Sequence, residues 1–162
     1  MLALITTLIT VHSQQIHTAK GSLLTSAAYN LTVAAYESKL SIASQEANLR
    51  GLEFSTDGTF LYVIGSAGKD VNQYTLTTAF DVTTATFTRA FSINAQEDDP
   101  TGVDFKPDGT EMYVIGKSGD DVNQYTLSTA WNVSTATYTR AFSVSAQEIN
   151  LTGIDFKTDG TE

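Results

Sequence analysis

Between residues 51 and 152, short apolar runs alternate with polar turns, and the whole pattern recurs every 51 residues. Gly51-Leu52-Glu53-Phe54 returns as Gly102-Val103-Asp104-Phe105 and again as Gly153-Ile154-Asp155-Phe156. Residues 51–101 and 102–152 are identical at 32 of 51 positions, so the repeat is real and must be explained before anything else. Looking backward, Ala28-Tyr29-Asn30-Leu31 matches Ala79-Phe80-Asp81-Val82, and Gln45-Glu46 matches Gln96-Glu97 and Gln147-Glu148. The chain therefore divides into an apolar segment (1–21), the tail of a diverged copy (22–50), two full copies (51–101 and 102–152) and the start of another (153–162).

Each copy predicts four short strands. Strand a is Gly102–Phe105, and Lys106-Pro107-Asp108-Gly109-Thr110 then supplies a preset φ, a turn-forming side chain and a residue tolerant of positive φ. Strand b, Met112–Gly116, is almost continuously apolar, as expected of a strand covered on both faces. Strand c, Val122–Leu127, alternates, with Asn123, Tyr125 and Leu127 on one face. A longer link carrying Trp131 leads to strand d, Tyr138–Val144, whose Tyr138, Arg140, Phe142 and Val144 should share a face. The preceding copy repeats this with Phe60–Gly65, Val71–Leu76 and Phe87–Ile93.

A four-stranded meander of this size cannot bury both faces alone, so copies must stack. The expected class is all-β, with each copy one blade of a β-propeller. Period-two alternation and β-branched content exclude helical repeats, and linear β-solenoids have shorter coils with parallel strands. Closed propellers hold about four to eight blades, more than this sequence contains. The run also stops in mid-hairpin, since Thr161-Glu162 match Thr110-Glu111. The expectation is a partial propeller completed by further blades of the same protein or by self-association.

Composition narrows the partners. Nine Lys and Arg against eighteen Asp and Glu give a net charge of −9, which argues against nucleic acid and against an anionic membrane surface. Without cysteine there are no disulfides, thiolate zinc sites or Cys nucleophiles. The apolar residues 1–11 are too few to span a bilayer. They read as degenerate strands a and b of the preceding blade or as a signal peptide, the latter lacking a basic residue ahead of the apolar run.

Catalytic motifs are sparse. Gly116-Lys117-Ser118 imitates the end of a phosphate loop, but Glu111 stands where its first glycine is needed. His12 and His17 lie outside the repeats with no zinc-like spacing. Carboxylates are more suggestive. The d-to-a links and b-to-c turns of a blade emerge on one side of the disc, and they contain Asp70, Glu97, Asp98, Asp99, Asp120, Asp121 and Glu148. Such a face offers hard oxygen ligands suited to calcium, or acceptors for a polyhydroxylated ligand, although no calcium-loop motif is present and no motif calls for another cofactor. The alternative is structural, with Asp70 and Asp121 capping turns and Glu97 and Glu148 solvated. Tyr29, Phe80 and Trp131 share one repeat position, which suits packing between blades better than stacking on sugars. Arg89 and Arg140 are expected to stack on a ring or to reach an acid of the next blade. Asn30, Asn132 and Asn150 open glycosylation-type triplets.

The stretch Phe105-Lys106-Pro107-Asp108-Gly109-Thr110-Glu111-Met112-Tyr113-Val114 resembles the YVTN-type β-propeller repeats, as does Phe54–Val63 in the preceding copy. That resemblance covers roughly residue 22 onward and implies the propeller fold. It also implies two functional directions. One is a non-enzymatic module for binding or assembly at a cell or virion surface, extracellular and with a protein or carbohydrate partner, since the Thr-rich copies also look like bacterial and phage surface arrays. The other is part of a lactonase-like hydrolase, in which carboxylates and histidines line a central channel.

Overall fold

The computed structural model describes residues 5–12, 15–22, 38–157 and 160, with side chains from residue 38 onward. Eleven strands among them form three antiparallel sheets in chain order. The first sheet holds β1 (Ile5–His12), β2 (Gln15–Ser22) and β3 (Ser38–Ser41). The middle blade holds β4 (Leu49–Phe54), β5 (Phe60–Gly65), β6 (Asp70–Leu76) and β7 (Ala85–Ser92). The last blade holds β8 (Pro100–Phe105), β9 (Glu111–Gly116), β10 (Asp121–Leu127) and β11 (Ala136–Ser143). Neighbours in sequence are neighbours in each sheet, so every sheet is a simple meander. The chain is all-β, an arc of stacked propeller blades.

The first sheet extends the sequence reading, and the last blade departs from it. Residues 5–22 pair as a hairpin whose second strand joins β3, with Gln15 opposite Ser41. At the 51-residue offset β1 falls near strand b, as expected for this segment, β2 near strand c and β3 on strand d, while the expected strand a falls outside the described residues. In the last blade a bulge separates the pairs Gln124–Arg140 and Tyr125–Tyr138. The inserted residue reverses the alternation. Tyr138 consequently meets Tyr125 edge-on at 5.7 Å, while Arg140 and Phe142 lie on the opposite face with Gln124 and Val122.

The a-to-b turn forms as its residues dictate. Gly109 N–H donates to Lys106 O (2.7 Å), and Asp108 Oδ1 accepts from Thr110 N (2.9 Å) and Oγ1 (2.5 Å). Gly109 adopts φ 72°, and a Cβ there would fall into the Trp131 ring. The turn is thus left bare for the tryptophan. The c-to-d links contain short 3-10 turns, Val82–Thr84 and Val133–Thr135, in which the Asp81 and Asn132 side chains accept from the amides of Thr83 and Ser134. Asn132 Oδ1 accepts from Ser134 N and Oγ.

Blades stack through this link. Trp131 stacks at 6.2 Å on Tyr62 of the middle blade and packs at 5.5 Å against Phe105. Tyr62 Oη donates to Trp131 O (2.7 Å), and Val133 N donates to Gln73 Oε1 (3.2 Å). The resulting core spans both blades and includes Tyr62, Ile64, Val103, Phe105, Val114 and Tyr125. Each such side chain removed from water contributes roughly 1.5–3 kcal/mol before entropy. Trp131 packs between blades as its repeat position suggested; Phe80 at the matching site meets Phe54 at 5.5 Å, and Tyr29 lies outside the described residues. The inner strands β4 and β8 approach so closely that a Cβ on Gly51 would sit 3.3 Å from Gly102 Cα.

Candidate functional site

The seven acidic residues singled out from the sequence fall into distinct environments. Glu97 is buried, contrary to the solvated alternative, with 1% of its surface exposed. Its carboxylate accepts from Asp99 N (2.7 Å), Ser118 N (3.1 Å) and Gly119 N (3.2 Å). Glu46 repeats this one blade earlier, accepting from Asn48, Ala67 and Gly68 amides. These glutamates clamp the d-to-a link of one blade to the b-to-c turn of the next, and a side chain on Gly116 would collide with the Glu97 carboxylate. Glu148, exposed, accepts only from its own Ile149 and Asn150 amides.

Asp70 and Asp121 open strands β6 and β10, and each accepts from an asparagine two residues on, Asn72 or Asn123, at 2.6 Å. Burial raises the pKa of both from the ordinary aspartate value. Asp98 is exposed, accepts from Ser118 Oγ and pairs with Lys69 Nζ at 3.7 Å. The Ser118 hydroxyl and then the Lys69 charge hold its pKa below the ordinary value. Asp99 receives Lys117 N–H on its backbone carbonyl. Asp120 closes its turn at φ 50°, and its Oδ1 is buried without a hydrogen-bond partner. Arg140 donates from Nε to Gln124 Oε1 (2.7 Å), an amide of its own blade and not an acid of the next. The d-to-a links and b-to-c turns therefore do share one rim, but most of its carboxylates are occupied by backbone or neighbouring side chains. Among the described residues no three His, Cys, Asp or Glu side chains gather as a metal-binding group.

A second set of carboxylates was overlooked although it lay in the motif that revealed the repeat. Glu53, Asp104 and Asp155 occupy the third position of strand a in successive copies, and strand a lines the inner edge where β4 meets β8. Asp104 is 8% exposed and bridges blades, accepting from Phe105 N (2.7 Å) and Phe156 N (2.8 Å). Glu53 accepts from Phe54 N at 3.0 Å. Burial foremost, and then the Asp104 charge, push Glu53 up to about 7, well above its ordinary value of 4.5. Burial likewise raises Asp104. A carboxylate that titrates near neutrality can take up and return a proton at working pH. The signal was an acid at the same inner-strand position in successive copies, with a glutamate at residue 53 where the following copies carry aspartate.

No protein-family model matches the chain, and no curated protein matches it. Solved structures do. The chain aligns over 94% of its length with 46% of a Bacteroides uniformis protein assigned as a 6-phosphogluconolactonase, at TM-score 0.59 and 13% identity. It aligns over 82% of its length with 34% of the Pseudomonas aeruginosa periplasmic gluconolactonase PpgL, at TM-score 0.56 and 16% identity. KlAtg21, solved in complex with the coiled-coil of AgAtg16, matches over 94% of this chain and 46% of its own, at TM-score 0.53 and 13% identity. The chain thus spans less than half of each of these structures, and at such identities the shared property is the fold.

Proposed function

We propose that this chain is part of a lactonase-like β-propeller that opens a sugar-derived lactone, with Glu53 as general base. The observation that carries the reading is the inner-strand carboxylate raised to about 7 beside Asp104. In this step Glu53 accepts a proton from water as the water oxygen bonds to the lactone carbonyl carbon. The ring C–O bond then breaks, and the proton returns to the departing alkoxide, giving the free hydroxy acid. The fold likeness to two lactonases supports the substrate class, and the periplasmic location of one supports an extracytoplasmic setting. The test is hydrolysis of glucono-δ-lactone by the purified chain, followed as acid release in weak buffer. The expected result is turnover above the spontaneous rate, with Glu53→Gln lowering it by roughly 10²–10⁴-fold, the usual contribution of a general base. A rate equal to the spontaneous one, or an unaffected variant, overturns it.

A second reading is a non-catalytic module for binding or assembly at a cell or virion surface, with a protein or carbohydrate partner. It is supported by the repeated glutamates Glu46 and Glu97, which serve backbone amides and not solvent. A chain that folds, lacks turnover and retains a glycan or protein ligand on an array would favour it.

A further inference from the structure

Glu53 and Asp104 hold the same repeat position on adjacent inner strands, opposite Tyr62 and Tyr113 of their own blades. Gly51 and Glu53 share the face of β4 that meets β8, where a Cβ on Gly51 would lie 3.1 Å from Thr101 O. The hydrogen bonds of the two acids nevertheless differ. Both oxygens of Asp104 are taken, Oδ1 by its own neighbour Phe105 N (2.7 Å) and Oδ2 by Phe156 N of the following copy (2.8 Å). For Glu53 the amide that corresponds to Phe156 N, one repeat earlier, is Phe105 N, and Asp104 already holds it. Glu53 keeps a single amide, Phe54 N on Oε1 (3.0 Å). Among the described residues no group donates to its Oε2.

That oxygen is also within reach of water. Among the described residues the buried side-chain oxygen without a partner is Asp120 Oδ1, not Glu53 Oε2. Few charged or titratable groups face it. β8 brings Asp104, the following copy brings Asp155, and β5 brings Tyr62, whose hydroxyl is given to Trp131 O. On β4 itself Arg50 is exposed at the bulge between Leu49 and Gly51. Of the two acids, Asp104 acts on Glu53 more strongly than Asp155. Two amide bonds favour the charged form of Asp104, whereas the single amide on Glu53 leaves it the easier of the pair to protonate.

We infer that Asp104 is the positioning residue of the Glu53 base: it takes the amide that would have closed Oε2 and sets a fixed negative charge beside the oxygen left free. The inference rests on the lactonase reading, to which it adds what regulates the base. Two such carboxylates titrate as a unit. The proton drawn from water goes to Glu53 and returns from it to the departing alkoxide, while Asp104 stays charged throughout. Turnover then rises with pH as Glu53 loses its proton, so acid in the surroundings caps the base and slows the reaction.

The test follows the amide protons of Phe54, Phe105 and Phe156 in proton–nitrogen correlation spectra of the full chain from about pH 4 to about pH 9, without substrate. Phe54 reports Glu53, and the other two report Asp104. The expected midpoint for Phe54 is about 7, with Phe105 and Phe156 moving at lower pH. Asp104→Asn should bring the Phe54 midpoint down by roughly one pH unit, and Asp155→Asn by less. The pH of half-maximal lactone hydrolysis should fall with it, whereas a merely structural role would lower the rate at every pH and leave that midpoint in place. A Phe54 midpoint near the ordinary 4.5 overturns the inference even if Asp104→Asn fails to fold. So do a folded Asp104→Asn with an unmoved midpoint, or Phe105 and Phe156 that titrate together with Phe54. A chain that shows the expected midpoints yet does not hydrolyse the lactone supports the pair and overturns the lactonase reading instead.

Discussion

Glu97→Gln separates a clamp from a ligand site, because the two roles predict opposite consequences. The wild-type carboxylate spreads three amide bonds over two oxygens, Asp99 and Ser118 on Oε1 and Gly119 on Oε2. A glutamine whose oxygen keeps the first two amides must point its own N–H₂ at the Gly119 amide, a donor facing a donor. One charge-assisted bond, worth about 1.5–3 kcal/mol, is lost, and a buried amide is left unsatisfied at about 1–3 kcal/mol. The two remaining bonds lose their charge assistance as well. We expect a loss of about 3–5 kcal/mol in urea unfolding, with the denaturant slope unchanged. The repeat provides internal controls. Glu46→Gln should cost a similar amount, since its three amides are arranged alike. Glu148→Gln should fall within about 0.5 kcal/mol of wild type, as exposed positions usually do. The clamp argument fails if Glu97→Gln costs less than about 1 kcal/mol, or if Glu148→Gln costs as much as Glu97→Gln.

Two further outcomes follow from the same geometry. Glu53 binds its proton more tightly folded, with a pKa of about 7, than unfolded, at 4.5. Its contribution to stability is therefore fully present below pH 4.5 and is lost as pH rises through about 7. The shift is worth at most about 3 kcal/mol, and solvent screening brings the expected effect to about 1–2 kcal/mol. Thermal melts at fixed protein concentration should show Glu53→Gln gaining on wild type from pH 5 to 8 by about 2–4 °C per kcal/mol; parallel pH profiles would refute the raised pKa. Gly109→Ala should destabilise by about 2 kcal/mol or more, combining positive φ with collision against Trp131, and a neutral result in a urea titration would show that the tryptophan moves aside.

The strands were legible because each copy states them twice. Period two, the Pro107-Asp108-Gly109 turn and the recurrence at 51 residues identified every strand of the two full blades to within a few residues. Three things were not legible, each for a physical reason. The bulge at Gln124 and Tyr125 inserts one residue into a polar, Thr-rich strand, where no hydrophobic residue marks the change of face. Phe80 and Trp131 adopt φ 60° and 63°, a conformation that bulky side chains avoid at about 1–2 kcal/mol and that only tertiary stacking can impose. Glu97 sits in a surface-like run, Gln-Glu-Asp-Asp, yet is buried because its partners are amides 21 and 22 residues away. Local sequence does not distinguish a solvated glutamate from one enclosed by another blade.

This bears on where function can lie. In a repeat, a polar residue present at every copy is first explained by the stack, and Glu46, Glu97 and Asp104 show this directly by bridging neighbouring blades through backbone amides. Chemistry that acts on one ligand at one place needs a departure from the repeat. Two departures stand out. At the inner-strand position, Glu53 replaces the aspartate of the following copies and is raised to about 7. At the head of strand b, Glu111 replaces Phe60, and it gathers Tyr113 and Gln124 around its carboxylate. The first departure is an acid poised to exchange a proton, which is what the lactonase reading needs. The second removes an apolar side chain from the open face of the last blade, and it satisfies there the polar groups whose counterparts, Tyr62 and Gln73, hold the next blade's backbone one interface earlier. Any blade that packs on this face must exchange the bonds to Glu111 for bonds to its own backbone, as Tyr62 and Gln73 already bond Trp131 and Val133.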